Sequence, residues 1–289
     1  MSAKVLFLGI LGVSAVTWPV MKIGADSFTP LWFTALRLGI ATAALFILLT
    51  AMRAVALPKK GDLKAILIIG GFQMALFLLF AHVGIEHLHA SQASILCYAT
   101  SLFVVPLSFI VFGERPTRRG LLGVTLCLGG VLLLFSPWNY DWHHRTAWTA
   151  SGLLLLSAAC WSVAILYMRH GRWHSPLLTL QLWQAGFATV ICVAIALLVE
   201  GLPRFEPTPK AWGVLLFTGV VSGAFGQWSM NRIQRDVHPV TVSSAYLLIP
   251  LATLVLCFFA LGEQLTGAKV TAMILIAAGS ALCIAPRRT

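Results

Sequence analysis

The sequence predicts an all-α integral membrane protein in which ten transmembrane helices form two inverted five-helix repeats, and three observations carry that expectation. Of 289 positions, 59% are hydrophobic and 10% charged, with a mean hydropathy of +0.89. A soluble domain is about half apolar and about a quarter charged, and one of this size has too little interior to hide such an excess. Charges, prolines and short polar clusters punctuate the apolar sequence at intervals close to the roughly 20 residues a helix needs to cross hydrocarbon. Finally, the second half of the chain repeats the first at a fixed spacing.

The spans follow in order. The first, 4–24, starts behind Lys4 and resembles a signal peptide, but apolarity continues through the chain, so it is read as an uncleaved helix. The second, 30–52, opens on Pro30, where proline suits a first helical turn. The third, 63–85, follows Lys59 and Lys60, and the fourth, 89–112, stops at Gly113-Glu114. Pro116 precedes the fifth, 117–136, whose "GLLGVTLCLGG" (Gly120 to Gly130) suits close helix packing. The linking "SPWNYDWHHRT" carries aromatics suited to headgroup depth. The remaining spans are 148–169, 176–199 (opening on Pro176), 211–231, 238–261 and 266–285. The domains expected are 1–136 and 148–289, joined by a loop at 137–147. All six cysteines fall in apolar runs without Cys-x-x-Cys spacing and are read as small core residues.

The repeat is clearest in "SLFVVPLSFIVFGERPT" (Ser101 to Thr117) and "PLATLVLCFFALGEQLT" (Pro250 to Thr266), two apolar runs each closed by Gly-Glu and a Thr. A shift of 149 residues pairs Glu114 with Glu263, Thr117 with Thr266 and Gly130 with Gly279. It also pairs Gly70 with Gly219, His89 with His238 and Ser94 with Ser243; with small gaps Trp18 matches Trp161. Each half has an odd number of spans, so the second enters the membrane upside down. Inverted halves packed about an in-plane pseudo-two-fold are the architecture of many secondary transporters, with a site near the midplane opened alternately to each side.

Lys4, Arg53, Lys59, Lys60, Lys64, Arg115, Arg118, Arg119, Arg169, Arg172, Arg232, Arg235, Arg287 and Arg288 fall on one side, fourteen in all, against Lys22, Arg145, Arg204, Lys210 and Lys269 on the other. The excess of Lys and Arg marks the cytoplasmic side, so both termini are expected there. This scatter over short loops accounts for the net charge of +11 and offers no continuous footprint for nucleic acid.

"WPVMK" (Trp18 to Lys22), "PLWFTALR" from Pro30 to Arg37 and the two Gly-Glu-x-x-Thr ends resemble the EamA-type branch of the drug/metabolite transporter superfamily over nearly the whole chain. The resemblance implies a ten-helix inner-membrane carrier exporting amino acids, related metabolites or toxic small molecules. It also implies a central cavity bounded by the third, fourth, eighth and ninth helices, with help from the first and sixth. One departure stands out: Pro250 has no counterpart at Ser101, and Pro106 appears five residues later. The kinks of the fourth and ninth spans are therefore expected to differ.

The substrate-binding candidates are Trp18, Arg37, Gln73, His82, Ser94, Tyr98, Ser101, Trp161, Gln227, Asn231, Ser243 and Tyr246. Arg37 lies two turns inside its span, where a charge is costly unless paired or hydrated; its planar fork suits a carboxylate, or else backbone carbonyls of a neighbouring helix. Ser94, Tyr98 and Ser101 share one helical face, and such polar groups either line a cavity or bridge packed helices. Pro19, Pro106 and Pro250 free carbonyls and are hinge candidates. Lys22 and Asp26, four apart, are expected to pair. Glu114 and Glu263 sit at span ends, where water can solvate them. No Asp or Glu falls in the middle third of any span, so no carboxylate stands ready to carry a proton and flux down the substrate gradient is expected.

No cofactor, metal site or catalytic residue is expected. His82, Glu86, His87 and His89 match no metal-ligand spacing, and no nucleophile constellation supports an intramembrane enzyme. The expected partners are a small-molecule substrate and membrane lipids, with the chain a monomer or homodimer. The leading reading is an amino-acid or metabolite exporter, and a broad-specificity drug or toxin exporter is the alternative; an intramembrane enzyme acting on lipid stands third, and a cargo-free helical scaffold, which the polar face of the fourth span opposes, fourth.

Overall fold

In hydrocarbon a backbone N–H or C=O finds no water, so each long apolar run closes its hydrogen bonds on itself as a helix. The computed structural model describes residues 3–113, 118–135, 145–171, 173–203, 208–236 and 248–284, and among them it holds ten helices. They are α1 (Ala3–Ala25), α2 (Pro30–Ala51), α3 (Lys60–Glu86), α4 in two segments (Ala90–Tyr98 and Ser101–Phe112) and α5 (Arg118–Phe135). Then come α6 (Arg145–His170), α7 (Leu177–Val199), α8 in three continuous segments (Pro209–Leu216, Phe217–Gly226 and Gln227–Asp236), α9 (Leu248–Leu261) and α10 (Gly267–Ile284). Large apolar side chains such as Ile47, Leu198 and Phe259 point outward, as they do where lipid is the solvent.

Glycine contacts reveal how the halves meet. A Cβ on Gly130 of α5 would lie 2.7 Å from the Ala272 carbonyl oxygen and from Ile276 Cγ1 of α10. A Cβ on Gly279 of α10 would press on the Gly123 carbonyl and lie 2.7 Å from Cys127 Sγ of α5. The partners 123, 127 and 130 are 149 residues before 272, 276 and 279, so α5 and α10 cross antiparallel as mirror roles of one contact. The same holds elsewhere: Gly70 of α3 abuts Gln184 and Phe187 of α7, and Gly219 of α8 abuts Arg37 and Ile40 of α2. Gln184 and Phe187 each lie 147 residues beyond Arg37 and Ile40. At the same spacing, Thr42 and Thr189 meet each other, with their hydroxyls 3.1 Å apart. A residue touching its own counterpart lies on the pseudo-two-fold itself.

The regular helices expected for the third, fourth and eighth spans are interrupted. Ile66–Leu76 in α3 and Phe217–Gly226 in α8 are π-helical, and they occupy corresponding places in the two repeats. The break in α4 falls at Ala99–Thr100, upstream of Pro106, and Ser162 of α6 donates to the Thr100 carbonyl at 3.0 Å. A donor from a neighbouring helix thus completes a broken turn within the membrane.

At the helix ends, two expectations are corrected. Lys22 Nζ donates to the carbonyls of Ile85 and Glu86 at 2.8 and 2.9 Å, capping the C-terminus of α3 instead of closing a pair with Asp26. Those carbonyls lack intrahelical donors and carry the negative end of the helix dipole, so an ammonium is drawn to them. Glu263, expected to be solvated, is only 6% exposed. Its carboxylate accepts from the N–H groups of Ala90 and Ser91 and from Ser91 Oγ at the N-terminus of α4. Lys269 Nζ lies 3.8 Å away as its counter-charge. Burial and the neighbouring Lys269 hold the His89 imidazole beside this pair below the ordinary histidine value. Glu114, the counterpart of Glu263, lies outside the described residues.

Further carboxylates also join the halves. Glu200, at the end of α7, caps α2 by accepting from Thr29 Oγ1 at 2.5 Å and from the Leu31 and Trp32 N–H groups at 3.1 Å. At the opposite end Asp62, at the start of α3, accepts from the His174 N–H at 2.9 Å just before α7.

Candidate functional site

Residues from α1, α2, α3, α4, α6, α7 and α8 converge near the middle of the bundle on a cavity of about 100 Å³. Six of the sequence candidates line it: Trp18, Arg37, Gln73, Tyr98, Trp161 and Gln227. Much of the lining comes in repeat pairs. Gln73 and Ser222, Met74 and Gly223, Phe77 and Gly226, and Leu78 and Gln227 are each 149 residues apart, and all eight face the cavity. The cavity therefore sits on the pseudo-two-fold, where an inverted duplication places an alternately exposed site.

Arg37 is buried, with 6% of its surface exposed. Its Nη1 donates to Met21 Sδ and its Nη2 to Ser222 Oγ, each at 3.3 Å; thioether sulfur is a weak acceptor. Arg37 Nε has no partner, and neither does the Gln73 side-chain oxygen or the Trp161 indole N–H. Among the described residues, the hydrogen bonds of Arg37 include none to the backbone carbonyls that would make it a purely structural arginine. Gln227 donates to Asn231 at 3.2 Å along the same face of α8.

Around this polar group stands an aromatic wall. Tyr98 meets Trp161 edge-on with ring centres 5.4 Å apart and Trp18 at 6.5 Å, while Phe77 meets Trp161 at 5.0 Å. Trp18 and Trp161, matched in sequence, flank one tyrosine from opposite repeats.

Among the described residues, His82, Ser94 and Asn231 are not in the lining. His82 is buried between α2 and α3: its Nδ1 lies 2.8 Å from Thr34 Oγ1 and 2.9 Å from the Leu78 carbonyl, and its ring packs on Phe33. Thr34 Oγ1 itself donates to the Pro30 carbonyl, so His82 Nδ1 carries the hydrogen that both acceptors share. His82→Phe is expected to cost about 1–3 kcal/mol of stability through the lost bonds with substrate KM unchanged, as measured by thermal unfolding and transport side by side. A KM shift without destabilisation would return His82 to the cavity. Ser94 is fully buried and bonds the Ser91 carbonyl, while Asn231 is the partner of Gln227. Ser101 opens the second segment of α4, and its side chain is outside those described, as are Ser243 and Tyr246 entirely. Pro19 and Pro106 lie inside α1 and the second segment of α4, and Pro250 is in the first turn of α9.

Sequence reasoning missed Ser222, Thr17 and the methionines Met21, Met74 and Met230. Ser222 was within reach, since the repeat offset applied to Gln73 lands on it. Among the described residues no group of acidic, histidine or cysteine side chains is arranged to hold a metal ion.

Comparison with known proteins agrees with this architecture. A model of the EamA-like transporter family matches residues 2–136 and 148–285. An uncharacterized transporter of Bacillus subtilis (strain 168), YoaV, is 26% identical over 95% of this chain and 94% of its own length. A probable amino-acid metabolite efflux pump of Salmonella typhimurium is 28% identical over 96% and 94% respectively. A crystal structure 20% identical to the chain superposes with a TM-score of 0.65, covering 97% of this chain and 96% of that one.

Proposed function

The chain belongs to the EamA-like transporter family, and on that premise we propose that it is a secondary transporter exporting small amphipathic metabolites, amino acids or related compounds, across the cell inner membrane by alternating access. One observation carries the reading: a cavity among the helices built from corresponding positions of two inverted repeats, with a buried arginine and amide groups beside an aromatic wall. Such a cavity fits cargo with one polar end and one apolar end, the cargo of the related efflux pump being amino-acid metabolites by its name. Both termini lie on the cytoplasmic side, where most of the Lys and Arg residues fall. The methionines of the lining are flexible and polarisable, which favours a broad substrate range as the second reading.

Counterflow of radiolabelled amino acids in proteoliposomes tests the proposal, paired with growth of overexpressing cells on toxic amino-acid analogues. Counterflow and raised resistance are expected, and Tyr98→Ala should raise KM about tenfold, in line with roughly 0.5–1.5 kcal/mol for an aromatic pair plus its buried area. Absence of both counterflow and resistance would sink the reading.

A further inference from the structure

Charge in the cavity is unbalanced, and the imbalance names the cargo more closely than the exporter reading on which this inference rests. The nine acids of the chain are Asp26, Asp62, Glu86, Glu114, Asp141, Glu200, Glu206, Asp236 and Glu263, and every one lies at a span end or in a loop. The stretch 237–247, outside the described residues, carries none. Arg37, two turns inside its span, therefore has no acid in reach among the described residues, and its guanidinium spends two donors on a sulfur and a hydroxyl, each at 3.3 Å. Beside it in the same lining are one buried acceptor and one further buried donor without partners, Gln73 Oε1 and Trp161 Nε1. Buried polar atoms of this kind are costly until something completes them, and in a membrane interior an ionised side chain marks a ligand path.

We infer that the cargo brings one carboxylate to Arg37 and an N–H donor to Gln73, so that the carrier takes neutral zwitterions and small monocarboxylates and rejects cargo with a second charge. A carboxylate matches the guanidinium fork. An ammonium finds the Gln73 carbonyl oxygen, and the π faces of Trp18, Tyr98 and Trp161 are within the same cavity for its charge. The apolar remainder meets Phe77 and those rings. A dibasic amino acid or a cationic toxin would place its extra cation near Arg37 with no acid to receive it, and a dicarboxylate would bury one anion unpaired. Charge thus divides the two export readings: cationic drugs are outside this carrier's range.

The test is counterflow of radiolabelled leucine, phenylalanine and threonine in proteoliposomes, with unlabelled competitors. Isocaproate keeps leucine's carboxylate and skeleton without the amine; isopentylamine keeps the amine without the carboxylate. Isocaproate is expected to compete, with isopentylamine, lysine, glutamate and tetraphenylphosphonium at least about tenfold weaker, the scale of one lost charge-assisted bond. Gln73→Glu adds the missing acid and should improve lysine relative to leucine by about tenfold or more. Arg37→Gln should erase the advantage of isocaproate over isopentylamine. Both variants are read as ratios on the flux that remains, so a partial loss of folded protein leaves the comparison intact. Lysine or isopentylamine competing as well as isocaproate in the unaltered protein, or a lysine-to-leucine ratio unmoved by Gln73→Glu, would overturn this inference while leaving the exporter reading standing. Absence of counterflow for all three labelled amino acids would overturn both.

Discussion

Replacing Glu263 by alanine is expected to lower the stability of the protein by about 3–5 kcal/mol, the usual cost of removing one partner from a buried ion pair. Three donors of α4, the N–H groups of Ala90 and Ser91 and the Ser91 hydroxyl, converge on this carboxylate. Without it they stay buried and unbonded, and Lys269, itself 7% exposed, keeps its charge without a counter-ion. The N-terminus of a helix also favours a negative charge through its dipole. Glu263→Gln keeps the shape and some of the hydrogen bonds, so it should lose less than the alanine variant. Thermal unfolding in detergent or nanodiscs, compared across the three proteins, checks the order. An alanine variant within about 0.5 kcal/mol of the parent, the range for ordinary surface changes, would show that the carboxylate is not a structural tie.

The second large effect is expected at the crossing of α5 and α10. Gly279→Val would drive its side chain into the Gly123 carbonyl and to within 2.8 Å of the Cys127 amide nitrogen. Both obstacles are backbone, which cannot rotate away as a side chain can, so the helices must separate along their contact. Overpacking of this kind costs about 1–3 kcal/mol and more where the backbone is held. Gly129→Ala, beside that contact with nothing within 4 Å of the added carbon, is the control and should be neutral. Equal unfolding temperatures for the two variants would mean that the crossing is looser than its geometry.

The sequence made the repeat legible because identities at one spacing survive wherever two helices must approach closely. Gly130 and Gly279 match in the alignment for the same reason that they meet each other's helices. Trp18, Gln73, Tyr98 and Trp161 were also within reach, since polar or aromatic groups in the middle of a span are few. His82 shows the limit: a histidine at mid-span reads as a cavity residue until Thr34 and the Leu78 carbonyl are seen to absorb its hydrogen. Glu263 shows another, because its partners lie over 170 residues earlier and a helix end looks solvated in sequence whatever docks on it. The π-helical turns of α3 and α8 leave no periodic trace in runs where nearly every residue is apolar or glycine.

Arg37 has one more consequence, electrical in nature. A guanidinium keeps its proton at any physiological pH, and the other described residues of the cavity include no carboxylate or imidazole, so none of the described lining offers a proton to trade for cargo. Membrane voltage then acts only on the charge that the passenger carries. On the cargo proposed above, a zwitterion would cross without sensing the field, whereas a monocarboxylate would be pushed outward by an inside-negative potential worth about 2.3 kcal/mol per 100 mV. The same doorway would leave one passenger to its concentration difference and drive the other by the cell's battery.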